Sequence, residues 1–202
     1  MGRVLLGVIL GVALVPLAAM AWIHFGHPPV AVADPPFPYE KQITAVPLRI
    51  RIDREMPQTA PIQADEPNLV AGALTYRDQC SGCHGLYLKP SLMARNMFPA
   101  IPQLWEKHRN SSVIGVSDDP PGETFWKVTN GIRLTGMPSY KDVLSETQIW
   151  QVSLLLANAD KPLPPDAITL VLGGSLPAAA PIVPAKKPSL PARKPSASAK
   201  RR

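Results

Sequence analysis

The sequence predicts an all-α protein in which one small helical domain, residues 66–160, follows a single N-terminal apolar helix and precedes a mostly disordered basic tail. Three observations carry that expectation. No charged residue occurs from Val4 to Phe25. Residues 66–160 hold capped segments with apolar side chains three and four apart. Of 25 prolines, eight crowd residues 28–65 and nine follow Asp160.

Residues 1–27 read as a transmembrane anchor. Val4 to Phe25 would form about 33 Å of helix at about 1.5 Å per residue, enough for a hydrocarbon core of about 30 Å. A cleavable signal peptide is the competing reading, because Ala31-Val32-Ala33 has the small-x-small form of a cleavage site. The anchor is preferred on two grounds. The apolar run exceeds the roughly 7–15 residues of a signal core, and a proline-containing stretch separates it from that site. Both readings leave Arg3 on the cytoplasmic side and export everything after residue 34. The expected location is therefore the cell membrane, single-pass, with the domain on the periplasmic or extracytoplasmic side, where nucleic acid is no target.

Residues 28–65 read as a semi-rigid proline-rich linker. Within it, Leu48, Ile50 and Ile52 alternate with Arg49, Arg51 and Asp53. This period of two predicts a short strand over residues 47–53, with chance alternation in an extended linker as the other reading. The formal charge of +6 gathers at the other end: residues 161–202 contain eight Lys or Arg and a single Asp. That composition predicts disorder, and its charge suits an acidic partner, anionic lipid or simple solubility.

Three helices are predicted in the domain. Asp65-Glu66-Pro67 opens the first, whose Leu69, Ala73, Tyr76 and Cys80 fall on one face. Asp119-Pro120-Pro121 opens the second, through Phe125, Trp126 and Val128, and Gly131 should end it. Ser145-x-x-Gln148 is a capping box for the third, with Leu144 placed to staple onto Ile149, and Ile149, Val152 and Leu156 form its apolar stripe.

The chemistry lies in Cys80-Ser81-Gly82-Cys83-His84, which holds both cysteines of the chain. A dithiol switch, half of a zinc site and covalent haem attachment all use such a pair. Structural zinc needs four ligands, and His24, His27 and His108 show no paired spacing. A thioredoxin-like switch needs a strand leading into a helix, whereas here a helix leads into the motif. Haem fits: each thiol adds to a vinyl group along one porphyrin edge, and His84 presents its imidazole to the iron. For the second axial position, Met56, Met93, Met97 and Met137 compete. Met137 is favoured, because Gly131, Gly136 and Pro138 force an irregular loop around it, while Met93 and Met97 are expected to pack.

In this order, a helix, Cys80-Ser-Gly-Cys83-His84-Gly85, a loop, a second helix, Thr135-Gly136-Met137-Pro138 and a last helix bearing Trp150 resemble a class I monohaem cytochrome c of the membrane-anchored bacterial type. The resemblance implies one covalently bound haem c with its iron. Cys80 and Cys83 would be the thioether anchors, His84 the proximal ligand and Met137 the distal one. It further implies a close crossing of the first and last helices, with Gly72 and Tyr76 facing Trp150 and Leu154. A proline carbonyl should bind the other nitrogen of His84, with Pro102 the best match and Pro99 its competitor. The loop from Gly85 to Ser117 is longer than in the most compact members, and its His108 is expected at the surface.

With both axial positions filled, one-electron transfer is what remains. The expected function is an electron carrier, not an enzyme, passing electrons between membrane or periplasmic redox enzymes of a respiratory chain, with a redox donor and acceptor as partners. Two alternatives stand beside it. One is a cytochrome subunit of a larger dehydrogenase or oxidase complex. The other is a haem sensor or peroxidase, should Met137 not be a firm ligand.

Overall fold

The computed structural model describes residues 1–176, and these fall into two units that divide at Arg51 and Ile52. In the first unit, α1 (Gly2–Phe25) has no buried residue and includes Pro16. It is long and apolar enough to cross a membrane, a test that a signal sequence also passes.

Where the alternation of residues 47–53 predicted a strand, the chain is helical: α2 runs Glu40–Glu55 with Pro47 inside it. Phe37 N donates to the Glu40 carboxylate at 2.8 Å and Thr44 Oγ1 to the Glu40 carbonyl at 3.0 Å, which fastens the first turn. A period of two specifies a strand only where one face is buried against a sheet. Of the three apolar residues only Ile52 is buried, so the pattern had no sheet face to serve.

The second unit begins with Ile52, fourteen positions ahead of the expected boundary at 66. Ile52 is fully buried, the Trp126 indole N–H donates to the Glu55 carboxylate at 2.9 Å, and the Pro57 carbonyl lies where a side chain at Gly122 would stand. The end of the linker is therefore part of the domain.

Helix α3 (Glu66–Gln79) starts as the sequence indicated. Asp65 caps it by accepting from Asn68 N at 3.2 Å, and Pro67 occupies the first turn, where a missing N–H costs nothing. A one-turn helix, α4 (Ser81–His84), follows directly. After a long irregular segment with a 3-10 turn at Ala94–Asn96 comes α5 (Pro121–Asn130), which ends at Gly131 with φ +67°. On it, Lys127 pairs with Glu123 at 2.6 Å. Helix α6 (Glu146–Leu156) carries the complete capping box of Ser145 and Gln148, and Leu144 and Ile149 share one apolar cluster as the staple requires.

Helices α3 and α6 cross closely at Gly72, but one residue round from the expected face. A Cβ at Gly72 would overlap the Gln151 carbonyl and come within 3.2 Å of Leu155 Cβ. Trp150 instead turns toward α5 and stacks on Phe125, ring centroids 4.2 Å apart at 22°. The reason is helical geometry: Gln151 and Leu155 are one turn apart on a single face, and Trp150 lies about 100° away from Gln151.

The expected tail contains a further helix. Pro165–Val171, α7, buries Ala167, Leu170 and Val171 against α3, and they join Leu69, Ala73, Tyr76, Val152 and Leu155 in the main core. The domain therefore does not end at 160. The remaining tail, 177–202, and the disorder expected there lie outside the described residues.

Two substitutions test this packing. Gly72→Ala should lower unfolding stability by about 1–3 kcal/mol, because the added methyl pushes α6 away. Leu170→Ala should cost about 2–5 kcal/mol by leaving a cavity in the main core. Denaturant titration measures both, and an unchanged midpoint for Leu170→Ala would show that α7 does not belong to the cooperative unit.

Candidate functional site

The cysteine motif sits where α3 stops. Cys80 N–H still donates to the Tyr76 carbonyl at 2.8 Å, and the chain then tightens into α4, with His84 N bonding Cys80 O at 2.9 Å and Gly85 N bonding Ser81 O at 2.9 Å. Ser81 Oγ donates back to the Arg77 carbonyl at 2.6 Å and joins the two helices. Gly85 ends the turn with φ +75°, a conformation that side chains resist, and Gln103 Oε1 occupies the place of its missing Cβ.

Cys80, Cys83 and His84 are thus brought onto one turn. Cys80 is half-buried and Cys83 exposed, and no disulfide joins them. Burial, and secondly the neighbouring Cys83, push the Cys80 thiol up to about 12.

His84 is half-buried, and its Nδ1 lies 2.8 Å from the carbonyl of Pro102, not Pro99. A carbonyl only accepts, so Nδ1 carries the proton and Nε2 keeps its lone pair. Burial lowers the imidazole's pKa, and the Pro102 bond opposes this without overcoming it. The side chain is therefore held in its neutral form, the form in which imidazole binds metals.

Met137 is built into a separate turn. Thr135 Oγ1 donates to Ile132 O at 2.7 Å and accepts from Met137 N at 3.1 Å, while Ile132 N bonds Met137 O at 3.2 Å. The side chain packs on the second apolar cluster of Val128, Leu144 and Ile149. Two residues tie this turn to the rest of the site. Tyr140 OH donates to the Gln79 carbonyl at 2.9 Å, immediately before Cys80, and its phenol is raised by burial and then by both thiols, which places it near the two sulfurs. Met97 packs its methyl against Gly136, as a packing role predicted, whereas Met93 is exposed. His108 is exposed beside the Lys107–Ile114 bridge, as expected.

Tyr140, Gln103 and the 2.6 Å bond from Tyr76 OH to the Gly85 carbonyl were not read from the sequence. Each is a polar side chain reaching a backbone group far along the chain, and such a pairing leaves no periodic trace.

The comparisons with known proteins bear on this arrangement. Residues 67–154 match the family described as cytochrome C oxidase, cbb3-type, subunit III. This is a cytochrome c domain. Neither the curated proteins nor the solved structures gave a match. A cytochrome c domain implies covalent haem c and haem-based electron transfer, and such domains are typically electron carriers or oxidase subunits, usually outside the cytoplasm.

The residues present fit that group. Two thiols and an imidazole with a free Nε2 share one turn, a thioether stands on a second, and the flanking loops hold apolar side chains in water, among them Leu92 at 91 % and Leu134 at 84 % exposure. These loops have surface that an apolar macrocycle can cover.

Tyr76→Phe isolates one fastening of the cytochrome c motif. It deprives the Gly85 carbonyl of its buried donor, so stability should fall by about 1–3 kcal/mol, read as a lower thermal midpoint at unchanged helix content.

Proposed function

We propose that the cytochrome c domain carries one haem c and passes single electrons between membrane-bound or periplasmic redox enzymes. The observation that carries this reading is the 2.8 Å contact of His84 Nδ1 with the Pro102 carbonyl, directly behind the two cysteines, because it leaves Nε2 as the imidazole's only free donor atom. When bound, haem supplies an iron that alternates between ferric and ferrous states by one electron.

The chain's own residues do the rest. Cys80 and Cys83 would hold the macrocycle by thioether bonds, an addition of each S–H across a vinyl group that consumes no oxidant. His84 Nε2 and Met137 Sδ would hold the iron. With both bound, no position would be left for a substrate, so the protein would serve as a carrier and not an enzyme, and the thioether would favour the ferrous state. The Pro102 carbonyl raises the basicity of His84 and fixes its ring. In this reading α1 is kept as a single-pass anchor, the domain faces the periplasm, and the basic residues after 176 attract an acidic partner or anionic lipid.

A second reading, a permanent cytochrome subunit of a respiratory oxidase, draws support from the match to subunit III of the cbb3-type enzyme. Purification from membranes separates the two: a carrier comes away alone, whereas a subunit brings its complex.

The intact mass of the mature protein should exceed that of the polypeptide by one haem, and Cys80→Ser with Cys83→Ser should abolish the increment. A mature chain of bare polypeptide mass would overturn the proposal. The oxidised protein should show a far-red sulfur-to-iron band and the reduced protein should ignore carbon monoxide. Met137→Ala should lose the band and bind the gas; a wild-type protein that binds it readily would point to a sensor or peroxidase instead.

A further inference from the structure

A helix leaves its last carbonyls without partners of its own, and one as short as α4 has almost none satisfied internally. Four successive carbonyls at its end are each taken from outside. Ser91 Oγ donates to Gly82 O at 2.8 Å, Gln103 Nε2 to Cys83 O at 3.3 Å, Leu104 N to His84 O at 3.3 Å, and Tyr76 OH to Gly85 O. Among these partners Gln103 has a double role. Its Oε1 accepts from Ser91 N at 2.6 Å and fills the space beside Gly85, while its Nε2 also reaches Ile101 O at 3.3 Å. One side-chain amide therefore fixes the spacing between the 91 loop, the Cys83–Gly85 turn and the backbone that presents the Pro102 carbonyl.

We propose that Gln103 is a positioning residue for His84: it holds α4 at the distance and angle at which Nδ1–H meets Pro102, and through that bond it sets the donor strength of Nε2 toward the iron. This rests on the haem reading above. Gln103 acts through the carbonyl one residue before His84 and through its own neighbour Pro102. The side chain needs a donor and an acceptor on one planar group, which an amide supplies and an aliphatic chain of similar length does not. Without it the turn can shift, the Nδ1–H bond opens more often, and the imidazole becomes a weaker donor. A weaker donor stabilises ferric iron less, so the midpoint potential rises.

The test uses the full-length haem-loaded protein, with Gln103→Met as a neutral substitution of similar shape and Gln103→Ala as the second variant. Two quantities are followed: hydrogen exchange of the His84 Nδ1 proton by NMR, and the midpoint potential by equilibrium redox titration. In Gln103→Met, exchange should quicken by about fivefold, as expected for loss of a bond contributing about 1 kcal/mol, and the potential should move upward with the far-red band retained. If Gln103→Met does not take up haem, Gln103→Ala decides by exchange alone, since the water it admits also moves the potential. Unchanged exchange and potential in a variant carrying covalent haem would overturn the positioning role while leaving the haem reading intact. A wild-type protein without covalent haem would overturn both.

Discussion

A four-residue helix cannot hold itself together. Nucleating a turn fixes several backbone torsions for one hydrogen bond, so α4 exists only because its surroundings supply what it lacks. The end of α3 runs straight into it, Ser81 ties the two by a side-chain bond, and donors from residues 76, 91, 103 and 104 meet the carbonyls at its far end. The cytochrome c motif is in this sense a product of the whole domain. Both sulfurs and the imidazole owe their common placement to contacts with segments well removed along the chain, such as Gln103 and Tyr140.

The same turn is reached from the C-terminal side. Tyr87 N bonds the Val171 carbonyl at 2.9 Å, and Arg77 Nη1 donates to Gly174 O at 3.2 Å. The Tyr87 and Tyr76 rings each meet Trp105 edge to face. Helix α7 and Trp105 therefore brace the segment that follows the histidine, while α3 and α6 brace the segment that precedes it. Electrostatics follow from this enclosure. Burial outweighs the Pro102 bond at His84 and dominates at Cys80, and in both cases the uncharged form is the one retained.

Much of this was legible in the sequence, where local rules govern. Asp65 with Pro67, Ser145 with Gln148, and the Cys80–His84 spacing are short-range signals whose physics is complete within a few residues, and the helix starts they predicted are where the structure has them. The Pro102 carbonyl was legible only through the family resemblance. The failures have one origin. The alternation at Leu48, Ile50 and Ile52 is compatible with a strand, and only tertiary contact decides that one of them is buried on a helix. The nine prolines after Asp160 suggested disorder, yet a proline at the start of a helix is harmless, and α7 begins on Pro165. The facing of Trp150 came from the family resemblance, and nothing local to α6 says which of its sides meets Gly72 until the neighbouring helix is placed.

The family match stops at Leu154, inside α6, while the apolar interior continues through Leu155, Leu156, Ala159, Ala167, Leu170 and Val171. A fragment excised at the limits of the alignment would have its hydrophobic centre laid open to solvent and would be prone to self-association. Shortened versions of this protein meant for expression or crystallisation should run from before Ile52 to at least Leu176, the span over which side chains still pack on one another.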